Sequence, residues 1–75
     1  MAFDLDTIVA AWRRAGGRCE YCGKLLDWTS RGNDYVSGGW EAHHVIAVEY
    51  GGPDTIENCR ILCIPCHKKT PTYGR

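Results

Sequence analysis

Cys19-Glu20-Tyr21-Cys22 and, further along, Cys63-Ile64-Pro65-Cys66 decide the fold of this 75-residue chain. Each is a C-x2-C turn that aims two sulfurs at one point, and two such turns supply the four thiolates of a tetrahedral zinc site. Forty residues separate Cys22 from Cys63, so a whole structural insert lies between the two knuckles. A site closed by four sulfurs leaves no position for water, which makes this zinc structural rather than catalytic. The same residues could form redox or disulfide pairs, but neither pair has a thioredoxin-like strand and helix around it. Cys59 is left over and reads as a small buried strand residue.

A staple is needed. The composition is 44% hydrophobic and 24% charged, as in globular proteins, but there is one Phe and one Met, and nine Gly dilute the core. A single domain over 1–75 is expected. The chain has no apolar run of membrane-spanning length, and Asp4 and Asp6 stand where a secretory signal would be basic. The expected location is therefore the cytoplasm, with no membrane partner, where reduced thiols favour metal over disulfide. Nine basic residues balance nine acidic ones, which taken alone argues against an acidic partner such as nucleic acid.

Outward from the knuckles, residues 4–15 read as a helix. Asp4 caps it, Asp6 sits at its positive end, and Leu5, Ile8, Val9, Trp12 and Ala15 share a face. Gly16-Gly17 ends it. A short strand is expected over Leu25-Leu26-Asp27-Trp28, and residues 29–39 form a loop with a brief extended piece at Tyr35-Val36. Trp40 to Ile46 reads as a strand, Gly51-Gly52-Pro53-Asp54 as a turn, and Cys59 to Leu62 as a second strand. A short helix begins near Pro65, which a first helical turn tolerates, and stops before Pro71.

The three histidines, His43, His44 and His67, all lie in the second half. Adjacent imidazoles followed by a third on a helix can give a divalent cation two ligands and leave one ring free as a base. A His pair that merely covers a polar strand end is the alternative. The sequence His43-His44-Val45-Ile46, then Gly51-Gly52, Asn58, and Cys63-Ile64-Pro65-Cys66-His67, resembles the HNH endonuclease pattern, with Cys19-x2-Cys22 as the other half of a zinc site found in many members. The resemblance covers about residues 19–70. It implies a small zinc-stapled α+β fold: an N-terminal helix packed on a ββα-metal core of about residues 40–70.

Carried over position by position, the resemblance puts His44 in the place of the general base. His43 and His67 take the places of the catalytic-metal ligands. Asn58 takes that of the Asn that holds the loop and orients the base. It implies hydrolysis of DNA phosphodiesters to 5′-phosphate and 3′-hydroxyl ends. His43 stands where most zinc-containing members have Asp, and Ala47 where the family often has Pro. Two imidazoles suit Mn²⁺, Ni²⁺, Co²⁺ or Zn²⁺ better than Mg²⁺, which prefers oxygen. In a regular strand His43 and His44 would face opposite sides, so they share a site only if the strand ends or twists there.

Charge is also unevenly placed. Arg60, Lys68, Lys69 and Arg75 lie in an acid-free stretch, and so do Arg13, Arg14 and Arg18. Lys68, Lys69 and Arg60 are candidates for DNA phosphates beside the scissile one, and a solvated helix end is the bland alternative for each Lys. Arg13, Arg14 and Arg18 read as a solvated face. Trp12 and Trp40 read as packing, while Trp28 and Tyr35 keep a possible role in base stacking. The expected activity is nicking of duplex DNA with low sequence specificity, by a monomer or weak dimer, with zinc as structural and Mn²⁺ or Mg²⁺ as catalytic cofactor. The alternatives are a non-catalytic zinc module binding DNA or protein, and an HNH nuclease acting on RNA or structured DNA.

Overall fold

The computed structural model describes residues 2–73, so Arg75 lies outside the described residues. Helix α1 spans Leu5–Ala15. Asp4 caps it by accepting the Thr7 N–H at 2.8 Å, and Gly16 closes it in the left-handed conformation at φ 66°. Ile8 and Ala11 are its buried residues, with Trp12 and Ala15 packed beside them, whereas Leu5 is 64% exposed. The buried stripe therefore starts a turn later than the apolar pattern suggests, and Phe3, ahead of the helix, is buried in its place.

Strands β1 (Trp40–His44) and β2 (Cys59–Cys63) form a two-stranded antiparallel sheet in which Trp40 faces Cys63, Ala42 faces Ile61 and His44 faces Cys59. Helix α2 (Ile64–Lys68) follows β2 directly, with a proline in its first turn. Helix α1 packs on β2, and α2 packs on both strands. In β2, Ile61 and Leu62 are both fully buried. A strand covered on both sides carries adjacent apolar residues rather than alternating ones.

Two expected extended segments do not form. Leu25 makes one isolated bridge to Arg18. Asp27 then accepts the Thr29 N–H at 3.0 Å and starts a 3₁₀ turn over Trp28–Ser30, because its short carboxylate competes for the backbone donor. At Tyr35-Val36 the chain turns, with the Tyr35 N–H donated to Asn33 Oδ1 at 3.0 Å and the Gly39 N–H to the Val36 carbonyl at 3.1 Å. Strand β1 also stops at His44 rather than Ile46. The Ile46 N–H goes to the Asn58 side chain at 2.7 Å, which replaces the neighbouring strand as its partner.

Three tryptophans pack together at the core. Trp40 is fully buried, with ring centroids 4.8 Å from Trp12 and 5.4 Å from Trp28. Its indole N–H donates to the Asp27 carbonyl at 2.9 Å, the partner that a buried Trp requires. Arg14 is a cross-brace. Its guanidinium pairs bidentately with Glu20 at 2.7 and 2.8 Å, and donates to the carbonyls of Ile56 at 2.9 Å and of Cys59. Glu20 in turn accepts the Ile61 N–H at 3.1 Å. The expected solvated face thus contains one residue that ties α1 to the first knuckle and to β2.

Candidate metal centres and active site

The sulfurs of Cys19, Cys22, Cys63 and Cys66 lie within 4.8 Å of one another. The first pair sits on the turn between Arg18 and Leu25, where the bridge closes the chain. The second spans the β2–α2 junction. Cys22 Sγ and Cys63 Sγ are 3.7 Å apart, close to the edge of about 3.8 Å that a tetrahedron with Zn–S of ~2.3 Å requires. All five cysteines are free thiols, and Cys59, fully buried, stays out of the cluster.

The electrostatics of the cluster fit a dication. Burial pushes the Cys19 thiol up, but backbone N–H donors from Cys22, Cys63 and Tyr21 outweigh it and bring it down to about 6. Burial, and hydrogen bonds shared with the other three sulfurs, drive Cys66 up to about 12. Thiolates so close together repel, and a cation at their centre removes that opposition. Cys59 is pushed up to about 11, chiefly by burial, which leaves it an inert thiol.

His43 and His67 come together across the β1–α2 packing, with ring centroids 5.1 Å apart and planes at 69°. His43 is 5% exposed. Burial first, then the neighbouring His67 and His44 rings, hold it down to about 4, and burial also lowers His67 against the opposing charge of Glu41. Both rings are thus neutral with a lone pair available, the state in which imidazole ligates a metal. The Thr72 hydroxyl lies 3.0 Å from His43 Nε2, and the Tyr73 ring packs edge-on against His67 at 4.9 Å. Among the described residues, no third His, Cys, Asp or Glu converges with this pair; the four cysteines form the only such group.

His44 is held elsewhere. Its Nε2 is 2.7 Å from Asp54 Oδ1, and its ring stacks on Phe3 with centroids 3.9 Å apart and planes at 15°. β1 ends at His44, and the Thr72 hydroxyl reaches both His43 Nε2 at 3.0 Å and the His44 carbonyl at 3.3 Å, so the two rings have separate partners at one end of the sheet. Asn58, 5% exposed, accepts from the Ile46 N–H and donates to the carbonyls of Ile46 at 3.1 Å and Pro53 at 3.0 Å. It clamps the loop between the strands and makes no hydrogen bond to His44.

Of the candidate phosphate contacts, Lys68 pairs with Asp34 at 3.0 Å, both about half exposed. Arg60 donates to the carbonyls of Glu57 at 3.2 Å and Cys59 at 3.0 Å. Lys69 has no ion-pair partner among the described residues, and it lines a cavity of about 320 Å³ with His43, Tyr21, Val45 and Thr72. Trp28 is 40% exposed and Tyr35 97% exposed. Sequence reasoning missed Phe3, Asp54 and Thr72 as neighbours of the histidines. Phe3 and Thr72 lie far along the chain from the rings they meet, Asp54 sits in a turn ten residues after His44, and nothing in their local sequence signals the contact.

Two comparisons bear on this arrangement. The sequence profile of the HNH endonuclease family matches residues 19–71, which take in both knuckles, the three histidines and Asn58. The chain is also 42% identical over 67 residues to the type IV methyl-directed restriction enzyme EcoKMcrA of Escherichia coli (strain K12), a match covering 85% of this chain. The chain spans only 23% of that protein's length. The matched segment runs from the first cysteine pair past the histidine on α2, and the chain belongs to the HNH endonuclease family.

Proposed function

We propose that this domain hydrolyses DNA phosphodiesters, with His44 as general base and a divalent cation held by His43 and His67. The observation that supports it most is the approach of two neutral imidazoles, His43 on β1 and His67 on α2, immediately beside the four-sulfur cluster that spans the start of α2. His44 takes a proton from water, the water oxygen bonds to phosphorus, and the bond to the 3′ oxygen breaks. That oxygen is then protonated from solvent, leaving 5′-phosphate and 3′-hydroxyl ends. When bound, the cation supplies charge neutralisation at the phosphate and the departing oxygen. Asn58 keeps the loop folded, and Lys69 and Arg60 steady flanking phosphates, with Lys68 joining them on release from Asp34.

One site cuts one strand, so a monomer or weak dimer nicks duplex DNA, with the low specificity that goes with the degenerate minor-groove code. Acid partners offset part of the basic surface, Lys68 with Asp34 and Arg31 with Glu41, so binding is weak, and salt weakens further the phosphate contacts that remain. The cytoplasm is the compartment that suits the thiols. Among the described residues no helix is long and apolar enough to cross a membrane.

A second reading, a zinc module that binds DNA or protein without cutting, draws on one observation: both β1 imidazoles already have partners, Thr72 and Asp54. Supercoiled plasmid incubated with zinc-loaded protein plus Mn²⁺, Mg²⁺ or chelator, beside His44→Ala, decides between them. Nicking that is faster with Mn²⁺ than Mg²⁺, absent with chelator and lost in His44→Ala supports the nuclease. Parental nicking by a folded His44→Ala protein removes the base assignment, and equal or faster rates with Mg²⁺ remove the imidazole-pair argument. Single-stranded DNA and RNA run alongside test the substrate. Methylated and unmethylated plasmids ask whether the domain shares the methyl-directed action of its relative; nicked alike, they show that it does not.

A further inference from the structure

Asp54 reads in the sequence as a turn residue, yet it holds the ring of His44. Its Oδ1 is 2.7 Å from His44 Nε2, with the two side chains 31% and 13% exposed. Two features of the loop deliver it there. Gly52 sits so close under the loop that a Cβ would come within 1.9 Å of the Ile46 carbonyl oxygen, so the loop folds flat only with glycine at that position. Asn58 Nδ2 then binds the carbonyl of Pro53, the residue just before Asp54, at 3.0 Å. On the ring itself, Phe3 stacks against one face at 3.9 Å, and His44 is paired with Cys59 in the sheet. With its plane set by Phe3 and one edge by a carboxylate, the imidazole has a single orientation.

We propose that Asp54 is the positioning residue of His44: its carboxylate accepts the Nε2–H and leaves the Nδ1 lone pair to receive the proton from water. This rests on the reading of His44 as the general base. A neutral imidazole carries one N–H and one lone pair, and a carboxylate at one nitrogen places the N–H there. The same carboxylate stabilises the imidazolium that forms when the other nitrogen is protonated. The role that the sequence gives to Asn58 alone is thereby divided. Asn58 holds the loop, and Asp54, four residues earlier, reaches the base.

The test uses the full zinc-loaded chain with Asp54→Asn, Asp54→Ala and His44→Ala. Long-range ¹H–¹⁵N spectra of the His44 ring show the proton on Nε2 in the parent, protected from exchange, and that protection disappears in Asp54→Ala. Nicking with Mn²⁺ shows kcat reduced about 10–100-fold in Asp54→Ala with KM changed less than about twofold, the pattern of a partner that orients a catalytic group. Asp54→Asn, of the same shape, keeps the loop folded, and its kcat also falls because the neutral amide does not stabilise imidazolium. Should the alanine variant not fold, the asparagine variant decides. A ring proton on Nδ1 in the parent overturns the proposal, as does parental kcat in Asp54→Asn while His44→Ala is inactive. Parental activity in His44→Ala instead overturns the base assignment beneath it.

Discussion

Replacing Asn58 tests the loop clamp in a way that distinguishes hydrogen bonding from mere filling of space. The side chain is 5% exposed and makes three bonds: from the Ile46 N–H at 2.7 Å, to the Ile46 carbonyl at 3.1 Å and to the Pro53 carbonyl at 3.0 Å. Asn58→Ala removes all three. At about 1 kcal/mol each, the low end being chosen because water can reach the partners once the side chain is gone, the cost is about 3 kcal/mol. For a domain of this size that is a fall in Tm of about 12–24 °C.

Asn58→Asp gives the sharper result. The carboxylate still accepts from Ile46 but turns a second oxygen toward two carbonyl oxygens, so at pH 7 it costs at least as much as alanine, about 4 kcal/mol. Protonation restores one donor, so the introduced carboxyl has a higher pKa in the folded state than the unfolded ~3.9. The folded state then binds the proton more tightly, and stability falls as pH rises between those two values. Lowering pH from about 7 to 5.5 therefore narrows the gap between this variant and the parent. Urea unfolding followed by tryptophan fluorescence, at a fixed free zinc concentration because zinc binding itself adds stability, measures each difference. An alanine variant within about 0.5 kcal/mol of the parent, or an aspartate variant more stable than alanine at pH 7, refutes the clamp.

Two further outcomes follow from the same structure. Chelation of zinc, or Cys66→Ser, unfolds the domain rather than merely silencing it, because the four sulfurs join the first knuckle to the start of α2; a native-like far-ultraviolet circular dichroism spectrum without zinc would contradict this. Arg14→Lys costs about 2 kcal/mol although charge is kept, since an ammonium cannot hold both Glu20 oxygens and the Ile56 and Cys59 carbonyls together. Denaturant melts of parent and variant check it, and equal midpoints would show that Arg14 is only a surface charge.

How much was legible in the sequence follows from the range of each signal. The cysteine spacing named the four sulfurs that gather where a metal ion could be held, because a C-x2-C turn is a local device. Asp4, the helical stripe and Gly16 placed α1 for the same reason: capping and periodicity act within a few residues. The combination of paired histidines, Gly51-Gly52, Asn58 and His67 carried the family. What the sequence could not state is where each of those side chains points. Arg14 sits in a basic run and reads as surface; Glu20 and two backbone carbonyls make it a brace. Tyr35-Val36 and Leu25 to Trp28 have strand-like composition, but Asn33 captures the Tyr35 N–H and Asp27 captures the Thr29 N–H just past the second segment, turning the chain. His43 and His44 are neighbours in the chain, but at the end of β1 their rings meet different partners, His67 for one and Phe3 and Asp54 for the other. Which sulfurs gather is therefore written in local spacing, whereas the partner that each imidazole meets is decided by where the strand ends and by a loop that folds back to meet it.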